Sequence, residues 1–165
     1  MANRIIYIMG VSGSGKTTIG ELLSQKIGIP FFDADDFHSL ASKEKMKAGL
    51  PLTDEDRKDW LLALNKLATA QMQVKGAIIA CSALKKKYRT VLTEGVENPF
   101  WVFLQGSYKI IYERLQQRKN HYMPPSLLQS QFDSLEIPAH AFIIDIEKSP
   151  ATIVHLISDA LPLIR

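Results

Sequence analysis

Gly10-Val11-Ser12-Gly13-Ser14-Gly15-Lys16-Thr17 matches the pattern G-x-x-x-x-G-K-[ST] at every fixed position. The stretch follows a short apolar run, Ile5–Met9, and precedes a segment with helical spacing, so it is predicted to join a strand to a helix. Glycines there permit positive φ and let successive backbone N–H groups converge on phosphate oxygens. The start of the following helix adds unpaired donors and a favourable dipole. Lys16 is expected to reach the β- and γ-phosphates and Thr17 to offer its hydroxyl to Mg2+. Gly10, Ser12, Gly13, Ser14, Gly15, Lys16, Thr17 and Thr18 are thus the candidate nucleotide-binding residues. A glycine-serine turn with a chance lysine would explain neither the spacing nor the strand–loop–helix context.

Outward from this loop, apolar runs rich in β-branched and aromatic residues recur at Phe31–Phe32, Ala77–Cys81, Phe100–Leu104 and Ala141–Ile144. Each is too short for a helix and is followed by a longer segment of helical period. Ile19, Leu22, Leu23 and Ile27 share one helix face, and Gly28 with Pro30 beyond it marks the stop. Thr53 and Asp56 have the spacing of a capping pair, and Ser149-Pro150 reads as an N-cap followed by proline at the first helical position. Strands that alternate with helices and are apolar throughout predict a parallel sheet covered on both faces. The 165 residues fit one domain, 1–165, with 46% apolar and 22% charged residues. The net charge of +3 is too small and scattered for a nucleic-acid binder, and no basic stripe interleaves with aromatics. Cys81 is the only cysteine, which excludes an internal disulfide and reads as a small buried residue. No apolar run approaches the ~20 residues of a membrane helix, and the first strand leaves no room for a signal peptide, so a cytoplasmic protein is expected.

A phosphate loop identifies a nucleotide and leaves the reaction open. The guanine-reading N-K-x-D is absent, since Asn65-Lys66 runs into Leu67-Ala68. The second strand instead leads into Phe32-Asp33-Ala34-Asp35-Asp36-Phe37-His38. Parallel strands end on the same edge of a sheet, so these carboxylates should face the loop across the crevice. One carboxylate near Mg2+ and one near an acceptor hydroxyl is what phosphoryl transfer to a small alcohol requires. Asp33 is assigned to the metal with Thr17, and Asp35 to the hydroxyl proton. One of the three aspartates, Asp36, is expected to cap the helix after His38.

The sequence resembles the small gluconate kinases, relatives of shikimate and nucleoside-monophosphate kinases. The resemblance rests on Gly10–Thr17, Asp33–His38, Lys45-Met46, Gly49–Arg57 with Trp60-Leu61, Ala80–Lys85 with Tyr88-Arg89, Arg114–Pro124, Leu128–Phe132 and Leu135-Glu136. Ser42 and Asp59 depart from the pattern, which has Asn and Pro there. The resemblance implies a P-loop NTPase fold, α/β, with five parallel strands in the order 2-3-1-4-5, an acceptor-binding helical segment and a lid near residues 115–130. It also implies ATP as co-substrate, Mg2+, D-gluconate as acceptor and a homodimer.

A sugar acid needs a cation for its carboxylate and polar partners for its hydroxyls. On the acceptor side stand Asp35, His38, Lys45, Arg57, Ser82, Lys85 and Arg89. The resemblance gives Arg57 the carboxylate, because related shikimate kinases grip theirs with an arginine on this helix. His38 could instead cap its own helix, and Lys85–Lys87 with Arg89 could be only a helix's polar face. Arg114, Arg118 and His121 precede Met123-Pro124-Pro125, which is too proline-rich to be regular and resembles the lid. Arg118 would then neutralise charge on the transferring group, with Arg114 nearer the nucleotide and His121 toward the substrate. Lys16, Asp35 and Arg118 are the expected catalytic residues. The rivals are a kinase for another small acceptor and a nucleotide-binding switch without transfer.

Overall fold

The computed structural model describes residues 3–119 and 124–161. Five strands, β1 (Ile5–Met9), β2 (Phe31–Asp33), β3 (Ala77–Ala80), β4 (Phe100–Gln105) and β5 (Phe142–Asp145), form one sheet in the order β2-β3-β1-β4-β5. All four pairings are parallel. In β1 every residue is inaccessible, as a central strand covered on both faces requires. The edge strand β5 is covered less completely than expected, since Ile143 is 47% exposed.

The helices are α1 (Lys16–Ile27), α2 (Leu40–Lys47), α3 (Asp54–Met72), α4 (Lys86–Leu92), α5 (Tyr108–Gln116), α6 (Pro125–Ser134) and α7 (Pro150–Ala160). Two apolar cores sandwich the sheet. Leu23, Ile111, Leu115, Leu128, Ile153 and Ile157 pack on one face, and Trp60, Leu61, Leu64, Ala68 and Leu92 on the other. Gly28 closes α1 in the left-handed conformation, and Thr53 with Asp56 closes a reciprocal capping box at the start of α3. Ser149 caps α7 with Pro150 at its first position. Among the described residues no helix is long and apolar enough to cross a membrane.

Two sequence expectations change. Pro125 begins helix α6, because proline at the first helical position gives up only an N–H that has no partner there anyway. Leu128, 1% exposed, anchors that helix in the core, so the second half of the 115–130 segment is docked structure. Beyond β2 the Asp33 carboxylate accepts from the Asp35 N–H and opens a short 3-10 turn over Ala34–Phe37, which takes up Asp36. Ser39, not His38 or Asp36, caps α2.

Candidate active site

The loop between β1 and α1 owes its shape to two glycines. Gly13 and Gly15 have φ of 84° and 98°, where side-chain-bearing residues are strained. A methyl group on Gly13 would also stand 2.8 Å from Leu115 Cγ, so the crest of the loop packs directly on α5. Lys16 folds over this loop and donates from Nζ to the carbonyls of Gly10 and Val11, both at 3.0 Å. Burial pushes its ammonium below the usual lysine range, Asp35 and Asp33 oppose that shift, and Arg118 adds to it. A half-buried cation held among carbonyls favours an incoming polyanion. Thr18 lies exposed on the first turn of α1, and the Ser14 hydroxyl is buried with no partner among the described residues.

Parallel topology brings the end of β2 to the same edge. Thr17 Oγ1 donates to Asp33 Oδ2 at 2.9 Å. A hydroxyl and a carboxylate side by side are hard oxygen donors of the kind Mg2+ takes beside phosphates, so these residues fit that ion. An open cavity of about 420 Å3 adjoins the pair, bounded by Thr17, Glu21, Phe31, Asp33 and Phe37. Asp35 faces the crevice from the 3-10 turn with 78% of its side chain accessible. Partial desolvation beside the loop, then repulsion from Asp33, raises its carboxyl above the ordinary carboxylate range, with Lys16 opposing and solvent screening the effect at so accessible a side chain. A raised carboxyl is the better proton acceptor.

His38 is buried and stacks on Trp60 with ring centroids 4.1 Å apart, while Trp60 Nε1 donates to the Ala34 carbonyl at 2.7 Å. The indole therefore holds both the turn and the imidazole. His38 Nε2 lies 3.9 Å from Asp35, and Nδ1 has no partner among the described residues. Burial, then the charges of Arg57 and Lys43, push the imidazole down to about 4, so it is neutral at pH 7.

The candidate acceptor-side cations gather in two places, around Tyr88 and at the α3 cap. Arg57 donates to the Leu52 carbonyl and to the Tyr88 hydroxyl, and its guanidinium lies 5.2 Å from the Tyr88 ring centre. Tyr88 is gripped in turn by Asp54, and Lys85 stands over the same ring at 5.9 Å. Asp54 is held down to about 2 by hydrogen bonds from Lys87 and Tyr88. Lys45 is engaged elsewhere: its ammonium lies 2.9 Å from Asp56, bracing α2 against the α3 cap and holding Asp56 at about 2.

Arg89 is a correction. It is 9% exposed and donates to the carbonyls of Ala83, Leu84 and Glu136, so its guanidinium is a backbone clamp and not a substrate contact. The clamped segment contains Ala83 at a φ of 44°, a strained conformation directly after Ser82 and just beyond the end of β3. Glu136 completes the junction by accepting from the Lys86 N–H, which caps an α4 terminus lacking a local side-chain cap. Burial raises the Cys81 thiol to about 12, which leaves it inert as read from the sequence.

Beyond the loop, Arg114 donates to the Ile146 carbonyl at 2.7 Å, which fixes α5 to the segment after β5 at the same sheet edge. Arg118 is exposed and close enough to Lys16 to repel its charge. His121 lies outside the described residues. Sequence reasoning gave no role to Gln131, which bonds Ser12 of the phosphate loop twice from α6. Nor did it give one to Tyr88, which carries Arg57. Both stand in stretches that carry the family resemblance, and that was the only signal.

Comparison with known proteins identifies the family. The shikimate kinase family model matches residues 12–154. A probable gluconokinase of Dictyostelium discoideum is 46% identical, over 91% of this chain and 82% of its own. The thermosensitive gluconokinase of Escherichia coli is 42% identical, over 84% and 74%. The crystal structure of a gluconokinase from Sinorhizobium meliloti superposes with a TM-score of 0.85 at 38% identity, covering 93% of this chain and 89% of that one.

Proposed function

The chain belongs to the gluconokinases of the shikimate kinase family, and on that footing we propose that it transfers the γ-phosphoryl group of ATP to the primary hydroxyl of D-gluconate. The products are ADP and 6-phospho-D-gluconate. The observation that carries this reading is the meeting, on one sheet edge, of Lys16 on its glycine loop with the Thr17–Asp33 pair and with Asp35 on the turn that Asp33 opens.

In the reaction the acceptor oxygen bonds to the γ-phosphorus as the bond from that phosphorus to the β–γ bridging oxygen breaks. ADP leaves with that oxygen, and the hydroxyl proton passes to Asp35 and on to solvent. The transition state is loose, so positioning and charge stabilisation supply most of the catalysis. Lys16 and the N–H groups of the loop hold the β- and γ-phosphates, and Arg118 faces the transferring group. Asp35 aims the hydroxyl, since a proton that leaves late calls for orientation more than basicity. Arg57 meets the gluconate carboxylate, and neutral His38, buried against Trp60, supports the acceptor side of the crevice beneath Asp35. Thr17 and Asp33 would hold Mg2+, which when bound would neutralise charge on the phosphates. The resemblance further implies a cytoplasmic homodimer.

A coupled ADP-release assay with and without D-gluconate tests this reading. Release should depend on gluconate and fall by orders of magnitude in Lys16→Ala. ATP binding with ADP release indifferent to gluconate would favour a nucleotide-binding switch instead.

A further inference from the structure

Gln131 is the one polar side chain of α6 that reaches the phosphate loop in the described structure, and it does so through two hydrogen bonds. The Ser12 N–H donates to Gln131 Oε1 at 2.8 Å, and Gln131 Nε2 donates to Ser12 Oγ at 3.0 Å. A backbone N–H can only donate, so chemistry alone fixes which end of the carboxamide faces it. The nitrogen must then face Oγ, and because that nitrogen only donates, the serine oxygen must accept. The single Ser12 proton is therefore not used in the pair and is available on another side of the oxygen.

Both ends of this contact are rigidly mounted. Leu128, one turn before Gln131, is buried in the core. The neighbouring Gly13 packs against Leu115 and Ile111 of α5. The carboxamide thus comes to Ser12 from a core-anchored helix onto a loop that packs against α5.

We propose that Gln131 is a positioning residue for the nucleotide: by donating to Ser12 Oγ it directs the serine O–H toward a phosphate oxygen of ATP. The proposal rests on the reading that residues 10–17 hold ATP. Glutamine is required because glutamate, of nearly the same shape, would accept from both the Ser12 N–H and its O–H. That would turn the proton away from the nucleotide.

The test measures ATP affinity by calorimetry, with no acceptor present, together with gluconate-dependent kcat and KM. Gln131→Met removes both bonds at similar volume and should weaken ATP binding about fivefold, the effect of one net hydrogen bond. In a Ser12→Ala background the same change should cost less than about twofold, because the hydroxyl it directs is gone. KM for gluconate should stay unchanged in both. Gln131→Glu, which keeps the shape, should bind ATP at least as poorly as Gln131→Met. Wild-type ATP affinity in Gln131→Glu, or an equal loss in both backgrounds for Gln131→Met, would overturn the proposal and leave Gln131 a brace for α6. A wild-type protein that binds ATP and ignores gluconate would sink the functional reading alone, since the affinity comparison needs no acceptor.

Discussion

Lowering the pH from 7 to 5 should cost this fold stability through one residue, His38. Its imidazole is 8% exposed, stacked on Trp60, and faced by Arg57 from α3, Lys43 from α2 and Asp35 from the 3-10 turn. Burial and the two cations hold its folded value at about 4, against 6.5 in the unfolded chain. Between those values the unfolded state binds the extra proton, so stability is full above 6.5 and is lost as pH falls toward 4. For a single site with these two values, the loss from pH 7 to pH 5 works out at about 2 kcal/mol. In a domain of this size that corresponds to a fall in Tm of roughly 4–8 °C. The raised carboxyl of Asp35 acts with the opposite sign, so the effect must be read as a difference. His38→Phe keeps an aromatic ring over Trp60 and takes no proton. Urea unfolding at pH 7 and pH 5 should show the wild type losing about 2 kcal/mol more than His38→Phe. Equal losses in the two proteins would refute the argument that a neutral, buried imidazole underlies the acceptor side.

The two arginines on either side of Tyr88 should separate cleanly. Arg57→Ala should raise KM for gluconate well above any rise in KM for ATP, because it removes a charge-assisted contact to the carboxylate; equal rises, seen in initial-rate kinetics, would make Arg57 structural. Arg89→Met should leave KM for gluconate alone and cost about 3 kcal/mol in urea unfolding, because three carbonyls lose their donor. Asp35→Asn should keep ATP binding and lose transfer by roughly 10²-fold or more, whereas Asp33→Asn should show a defect that added Mg2+ partly restores. A Mg2+ titration of both variants checks the division, and rescue of Asp35→Asn alone would reverse the roles.

The phosphate loop was legible because its chemistry is local. Eight consecutive residues set the backbone that binds phosphate, and the flanking periodicity identifies the strand and helix around them. Asp33 beside Thr17 was also within reach, since parallel strands deliver their ends to one edge. What could not be read depends on distant partners. Arg57 and Arg89 are both arginines near helix starts, and only the fold shows that Glu136, 47 residues on, takes up Arg89 while Arg57 stays beside the crevice. Lys45 was indistinguishable from a substrate ligand until α2 and α3 brought Asp56 to it. Gln131 and Ser12 lie 119 residues apart, and no spacing rule connects them. The Asp36 reading failed on a local point, because Ser39 stands directly before α2 and accepts from the Ser42 N–H, while Asp36 is taken up in the 3-10 turn.

The central claim is that a phosphoryl group moves from ATP to the primary hydroxyl of gluconate. Phosphorus NMR of the protein with ATP, Mg2+ and D-gluconate tests it most directly, because it reads both the fate of the phosphorus and the carbon that receives it. The account predicts a single new phosphomonoester, its signal split by the two protons of a CH2 group, growing in step with ADP. ADP accompanied only by inorganic phosphate, or a monoester split by a single proton, would contradict it.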